Sequence, residues 1–164
     1  MNYKLTEQEV VDFVVQFLIN KKNGQWHKET LIPHSLKQRG ADIDIKGGKQ
    51  NTEHFIIECK GKSYSKSANS VNKEGWIVAL DQLITRMEQY RVITSGKNKG
   101  EPNRAVKYGL GLYWVGAQVA LRRISKNVAK VLNLHIFSVD ESGIVKYFTP
   151  SDFGKEDYPD ELFH

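Results

Sequence analysis

The sequence predicts an α/β domain in which a central mixed sheet is flanked by helices. Three observations carry this reading. Apolar stripes at helical spacing alternate with short β-branched runs, two of those runs are joined by a Gly-rich turn, and 40% of the 164 residues are hydrophobic without any internal repeat. That length and composition suit one globular domain, residues 1–164, with a core of its own.

The elements follow in order. Thr6 with Glu9 three residues on forms a capping box, and Val10, Phe13, Val14, Phe17 and Leu18 recur at 3.6-residue spacing, so a helix is expected from Thr6 to about Lys22. Residues 25–32 read as a first strand stopped by Pro33. Two strands at about 41–46 and 53–60 flank Gly47-Gly48-Lys49-Gln50-Asn51 and suit a hairpin. Residues 61–73 are small, polar and basic, and read as a loop.

Trp76, Leu80, Leu83, Met87 and Tyr90 mark one face of a helix over about 75–91. Tyr108, Leu110, Leu112 and Trp114 fill one face of a strand over 107–115, where Gly109 and Gly111 allow close packing on the other face. A helix over 117–132 is expected to turn Leu121, Ile124, Val128 and Val131 inward. Strands near 133–138 and 144–149, joined by Asp140-Glu-Ser-Gly143, end the pattern.

The chemistry concentrates between Gly40 and Gly61. Strand side chains alternate, so Asp42 and Asp44 share one face of a strand while Ile43 and Ile45 share the other. In the next strand Ile56, Glu58 and Lys60 lie on one side, and Phe55, Ile57 and Cys59 on an apolar side. Carboxylates are hard ligands suited to Mg²⁺, and a nearby ammonium can stabilise developing charge in phosphodiester cleavage. The plainer reading is a strand carrying solvated charges, in which Glu58 and Lys60 form a weak surface pair.

Gly40-Ala41-Asp42-Ile43 and Ile56-Ile57-Glu58-Cys59-Lys60-Gly61 resemble the PD-(D/E)XK, or restriction-endonuclease-like, nuclease superfamily, and most of all its Mrr-type and Holliday-junction-resolvase branch. The resemblance spans at least residues 3–116 and implies a core of helix, three strands, helix and strand, with the C-terminal helix and strands as elaboration. It implies a metal-dependent endonuclease acting on DNA, with Mg²⁺ (or Mn²⁺) held by Asp42 and Glu58 and the attacking water assisted by Lys60. Glu7, one turn before the apolar stripe of the first helix, corresponds to the helix-borne glutamate of resolvases. Gln82 and Arg86 resemble the polar pair that points back to the site. The pattern's proline is Ala41 here, and Asp44 is the substitute ligand should the alignment slip by two.

Charge agrees with a polyanionic partner. Residues 1–139 hold 22 Lys and Arg against 12 Asp and Glu, while residues 140–164 hold 2 against 7. Lys62 and Lys66 follow the motif lysine, and Arg122 and Lys126 begin a basic row, so these with Arg86 are candidate nucleic-acid contacts. Solvated helix faces and flexible connectors are also often lysine-rich. A homodimer is one expected assembly, because cutting both strands commonly needs two sites.

Other chemistries lack support. The five histidines show no zinc spacing, the lone Cys59 reads as a small buried residue, and no glycine motif for an organic cofactor is complete. The chain has no apolar run near 18 residues, and acidic Glu7 and Glu9 stand where a signal peptide would be basic then apolar, so neither export nor a membrane segment is expected, and a cytoplasmic location is. The alternative function is a nuclease-derived DNA-binding or protein-interaction module that no longer cuts.

Overall fold

The computed structural model describes residues 5–20, 26–31, 41–48, 51–63, 68–90, 92–93, 95–101, 103 and 105–155. Helix α1 spans Glu7–Ile19, and its N-terminus carries the capping box. Thr6 Oγ1 accepts from the Glu9 amide at 3.2 Å, and Glu9 Oε2 accepts from the Thr6 amide at 2.7 Å. Such a cap contributes about 1 kcal/mol. The helix stops at Ile19, short of the expected end near Lys22, because Asn20 turns extended, consistent with the competition of an asparagine side chain with the helical backbone.

Five strands form one sheet in the order β1 (Ile43–Gly47), β2 (Glu53–Lys60), β3 (Val106–Tyr113), β4 (Leu134–Val139) and β5 (Val145–Phe148). The β1–β2 and β4–β5 pairs are antiparallel hairpins, whereas β2–β3 and β3–β4 are parallel. The parallel pairs require crossovers, which helices α2 (Ala68–Tyr90), α3 (Trp114–Arg123) and α4 (Lys126–Leu132) supply. The chain is therefore α/β, with a mixed five-stranded sheet flanked by helices.

Alternation along the strands divides the core. Ile43, Ile45, Phe55, Ile57 and Cys59 pack under α1, and Ile56, Leu110, Leu112 and Ile136 pack under α2 and α3. Each fully buried isoleucine contributes about 1.5–3 kcal/mol relative to exposure. Gly111 admits α1: a Cβ there would lie 3.4 Å from both Val10 Cγ1 and Val14 Cγ2, and only 2.6 Å from Cys59 Sγ.

Several expected elements differ. In place of a strand over 25–32, Trp26 makes a single bridge to Gly47, and Lys28–Thr30 form a 3₁₀ turn in which Thr30 Oγ1 bonds the Lys46 backbone. The expected loop over 61–73 gives way to α2 at Ala68, so Lys73 is helical. The strand expected to reach residue 115 ends at Tyr113, and Trp114 opens α3.

The helix expected over 117–132 is two helices. Ser125 caps the second, its side chain accepting from the Val128 amide at 3.3 Å. The break re-phases the stripe, so Val128 and Val131 face solvent instead of the core. Among the described residues no helix is long and apolar enough to cross a membrane.

Candidate active site at the end of the central strands

Asp42 lies one residue before β1. Ile43 pairs with Ile57, and the same register carried one step further sets Asp42 opposite Glu58. Asp42 Oδ2 accepts from the Cys59 amide at 2.6 Å, fixing the carboxyl across the strand pair. Glu58 is 2% exposed and reaches toward α2, where Arg86 donates through Nε to Glu58 Oε1 at 3.1 Å. Lys60, on the same side of β2, donates to Glu7 Oε2 at 2.9 Å. Glu7, Asp42, Glu58, Lys60 and Arg86 thus converge from α1, β2, α2 and the residue preceding β1.

Close backbone approach makes that convergence possible. Lys62 donates its amide to Leu5 O at 2.8 Å, and a Cβ on Gly61 would lie 2.5 Å from the Glu7 amide nitrogen. Only glycine lets the start of α1 rest on the end of β2 and deliver Glu7 to Lys60. On the other side, a Cβ on Gly75 of α2 would lie 3.8 Å from Lys60 Cβ.

The two central carboxyls resist losing their protons together. Burial raises the Asp42 pKa and Glu7 adds to the rise, against the Cys59 amide and Lys60. Burial, then repulsion from Asp42, pushes Glu58 up to about 7, although Arg86 opposes it. A divalent cation would relieve this repulsion directly.

The donor set fits Mg²⁺ or Mn²⁺. Mg²⁺ commonly takes one or two carboxylates and fills its remaining positions with water and substrate phosphate oxygens. Asp42 and Glu58 supply the carboxylates. Gln82 Oε1, one turn before Arg86 on α2, is buried without a hydrogen-bond partner among the described residues, leaving a carbonyl oxygen unsatisfied. No group of three or more His, Cys, Asp or Glu side chains among the described residues is placed to hold a metal unaided. A site here would therefore be completed by water or substrate.

Asp44 has different company. It is buried and bonded to His54 Nε2, two strand positions away from the Asp42–Glu58 pair. Asp42, not Asp44, is the carboxylate opposite Glu58.

The basic residues are partly redistributed. Arg86 grips Glu58 instead of projecting only toward a ligand. Lys62 donates to Glu141 Oε1 at 2.9 Å and lies 4.9 Å above the Tyr113 ring, while the Tyr113 hydroxyl donates to the same oxygen at 2.6 Å. Burial would raise the Glu141 carboxyl, but these two donors hold it at about 2. Arg122 lies in the last turn of α3 and Lys126 opens α4, both exposed, so the expected single row is divided between helices. Lys66 lies outside the described residues.

Sequence reasoning missed three partnerships: Asp44–His54, Arg86–Glu58 and the Lys62–Tyr113–Glu141 cluster. The last joins residues 79 positions apart through a turn held by Asp140, whose Oδ1 accepts from the Ser142 and Ile144 amides at 2.8 and 2.9 Å. Only the Asp-Glu-Ser-Gly turn signal was available in the sequence to locate it. Comparison with protein-family models, curated proteins and solved structures gave no match.

Proposed function

We propose that the chain is a metal-dependent endonuclease of the PD-(D/E)XK type that hydrolyses DNA phosphodiester bonds. The observation that carries this reading is the facing of Asp42 and Glu58 beside Lys60, with Glu58 raised to about 7 by burial and by Asp42. When bound, Mg²⁺ or Mn²⁺ supplies Lewis acidity toward the phosphodiester. Asp42 and Glu58 would hold the ion, and Gln82, one turn before Arg86 on α2, has a buried carbonyl oxygen without a hydrogen-bond partner among the described residues.

Lys60, held by Glu7 at 2.9 Å, orients the attacking water and stabilises negative charge gathering on the phosphate. The water oxygen bonds to phosphorus and gives up a proton to solvent, the bond to the departing ester oxygen breaks, and that oxygen takes up a proton from solvent. The basic excess over residues 1–139 supports a polyanionic substrate. A second reading has its own support: Arg86 and Lys60 already neutralise Glu58 and Glu7 without a metal, as in a scaffold that binds without cutting.

Incubation of supercoiled plasmid with Mg²⁺ or with EDTA separates the readings. The nuclease converts plasmid to nicked or linear DNA only with the metal, and Asp42→Asn, Glu58→Gln and Lys60→Ala each abolish conversion. Activity surviving all three substitutions, or persisting in EDTA, would sink the mechanism.

A further inference from the structure

The three parallel strands end side by side just beyond the acidic cluster. Lys60 of β2 pairs with Leu112 of β3, and Tyr113, one position on, pairs with Val139 of β4. Lys62, Tyr113 and Glu141 therefore gather at the carboxyl ends of neighbouring strands, the end at which open α/β sheets bind ligands. Lys62 Nζ and the Tyr113 hydroxyl both donate to Glu141 Oε1, at 2.9 and 2.6 Å, and Nζ lies 4.9 Å from the centre of the tyrosine ring.

These donors form an anion site with an internal occupant. An ammonium and a phenol hydroxyl aimed at one oxygen are groups that proteins commonly offer to phosphate oxygens. Burial would raise the Glu141 carboxyl, yet the Tyr113 hydroxyl and Lys62 hold it at about 2, so negative charge is strongly favoured at this point. The occupant can still leave. The Glu141 side chain is 41% exposed and that of Lys62 25%, and ion pairs so open to water contribute little to stability. The turn beneath it stays in place, because Asp140 Oδ1 accepts from the Ser142 and Ile144 amides and Gly143 packs where a Cβ would overlap the Phe13 ring of α1. Rotation of one side chain is enough to empty the site.

We propose that Lys62 and Tyr113 form a subsite for a DNA backbone phosphate flanking the Asp42–Glu58–Lys60 cluster, and that Glu141 occupies it until substrate takes its place. The subsite rests on the nuclease reading and adds Tyr113 and Glu141 to it. Lys62 is two residues beyond Lys60, and its amide is anchored to Leu5 O at 2.8 Å, so the donor is fixed beside the chemistry. An incoming strand has to displace a carboxylate here, and its contacts elsewhere must supply the exchange.

The test is fluorescence anisotropy with a labelled DNA duplex in EDTA, where no cleavage intervenes, repeated over a range of salt. Glu141→Gln should bind about three- to tenfold more tightly than wild type, since one repelling charge is gone and Lys62 is released. Its plot of log affinity against log salt should be steeper by about one, because wild-type Lys62 trades one anion for another and so releases fewer counterions. Lys62→Ala and Tyr113→Phe should each cost more affinity in the Glu141→Gln background than in wild type.

If the three residues only staple the hairpin to the sheet, Glu141→Gln changes thermal stability but neither affinity nor salt slope. That result would overturn the proposal, whether or not wild type cuts plasmid with Mg²⁺. Failure of plasmid cleavage alongside tighter, more salt-sensitive binding by Glu141→Gln would instead sink the nuclease reading and keep the subsite.

Discussion

Replacing Glu58 by Gln should stabilise the metal-free protein at neutral and alkaline pH, even though the same change is expected to abolish cleavage. In the folded chain Glu58 keeps its proton up to about 7, against an ordinary value of 4.5. Between those values the folded state binds more protons than the unfolded chain, so stability falls as pH rises through the window. At about 1.4 kcal/mol per tenfold change in proton affinity, the rise corresponds to about 3 kcal/mol.

Glutamine carries no charge to bury and retains an oxygen for Arg86 Nε, so it should recover about 1–3 kcal/mol of that loss above pH 7. For a chain of this size that is a gain in Tm of about 3–10 °C. The assay is thermal unfolding of wild type and Glu58→Gln in EDTA from pH 4.5 to 8. The two curves should meet near pH 4.5 and diverge steadily to pH 8. A variant less stable than wild type at pH 8, or a wild type equally stable at both ends, would refute the account of Glu58 as a buried carboxyl pressed by Asp42.

Two further predictions rest on the same end of the sheet. Gly61→Ala places a methyl 2.5 Å from the backbone at the start of α1; the overlap should cost about 1–3 kcal/mol in urea unfolding and loosen the Glu7–Lys60 pair. Retention of wild-type stability would show that α1 does not rest on residue 61. Cys59 is fully buried, and burial followed by repulsion from Asp42 and Glu58 raises its thiol well above the usual value. A disulfide reagent should therefore label it only as fast as the protein unfolds, and rapid labelling of the native protein would contradict that burial.

The legibility of the sequence followed the range of the interactions. Thr6 and Glu9 announced α1 because a cap spans three residues, and the Phe55-Ile56-Ile57-Glu58 alternation placed charge and core on opposite faces because strand geometry fixes both. Gly111 was readable as a point of close packing for a similar local reason: a strand interior has little other use for glycine. The break at Ile124-Ser125 was not readable from periodicity, since valines at 128 and 131 continue a helical stripe on paper. The serine cap that re-phases them competes with that stripe rather than showing within it.

The site divides the same way. Asp42, Glu58 and Lys60 were legible from short spacing, and the choice of Asp42 over Asp44 needed the strand register and the His54 partner. Arg86 was expected on the helix face that points back to the site and as a nucleic-acid contact, but its bond to Glu58 was not foreseen, because spacing shows direction and not the nearest charge. Glu141 on Lys62 depends on how a distant hairpin meets the end of β2, and nothing local encodes it.

The central claim is that Asp42 and Glu58 together form a divalent-cation site, and calorimetric titration of Mn²⁺ or Mg²⁺ tests it most directly. Repeating the titration across pH in buffers of different ionisation heat counts the protons released. One ion per chain is expected, with affinity climbing as pH rises through about 7 and with about one proton displaced at pH 6, where Glu58 is still protonated. Asp42→Asn should remove the binding and the proton release together. Absence of binding at millimolar Mg²⁺, or binding unchanged in Asp42→Asn, would contradict the account.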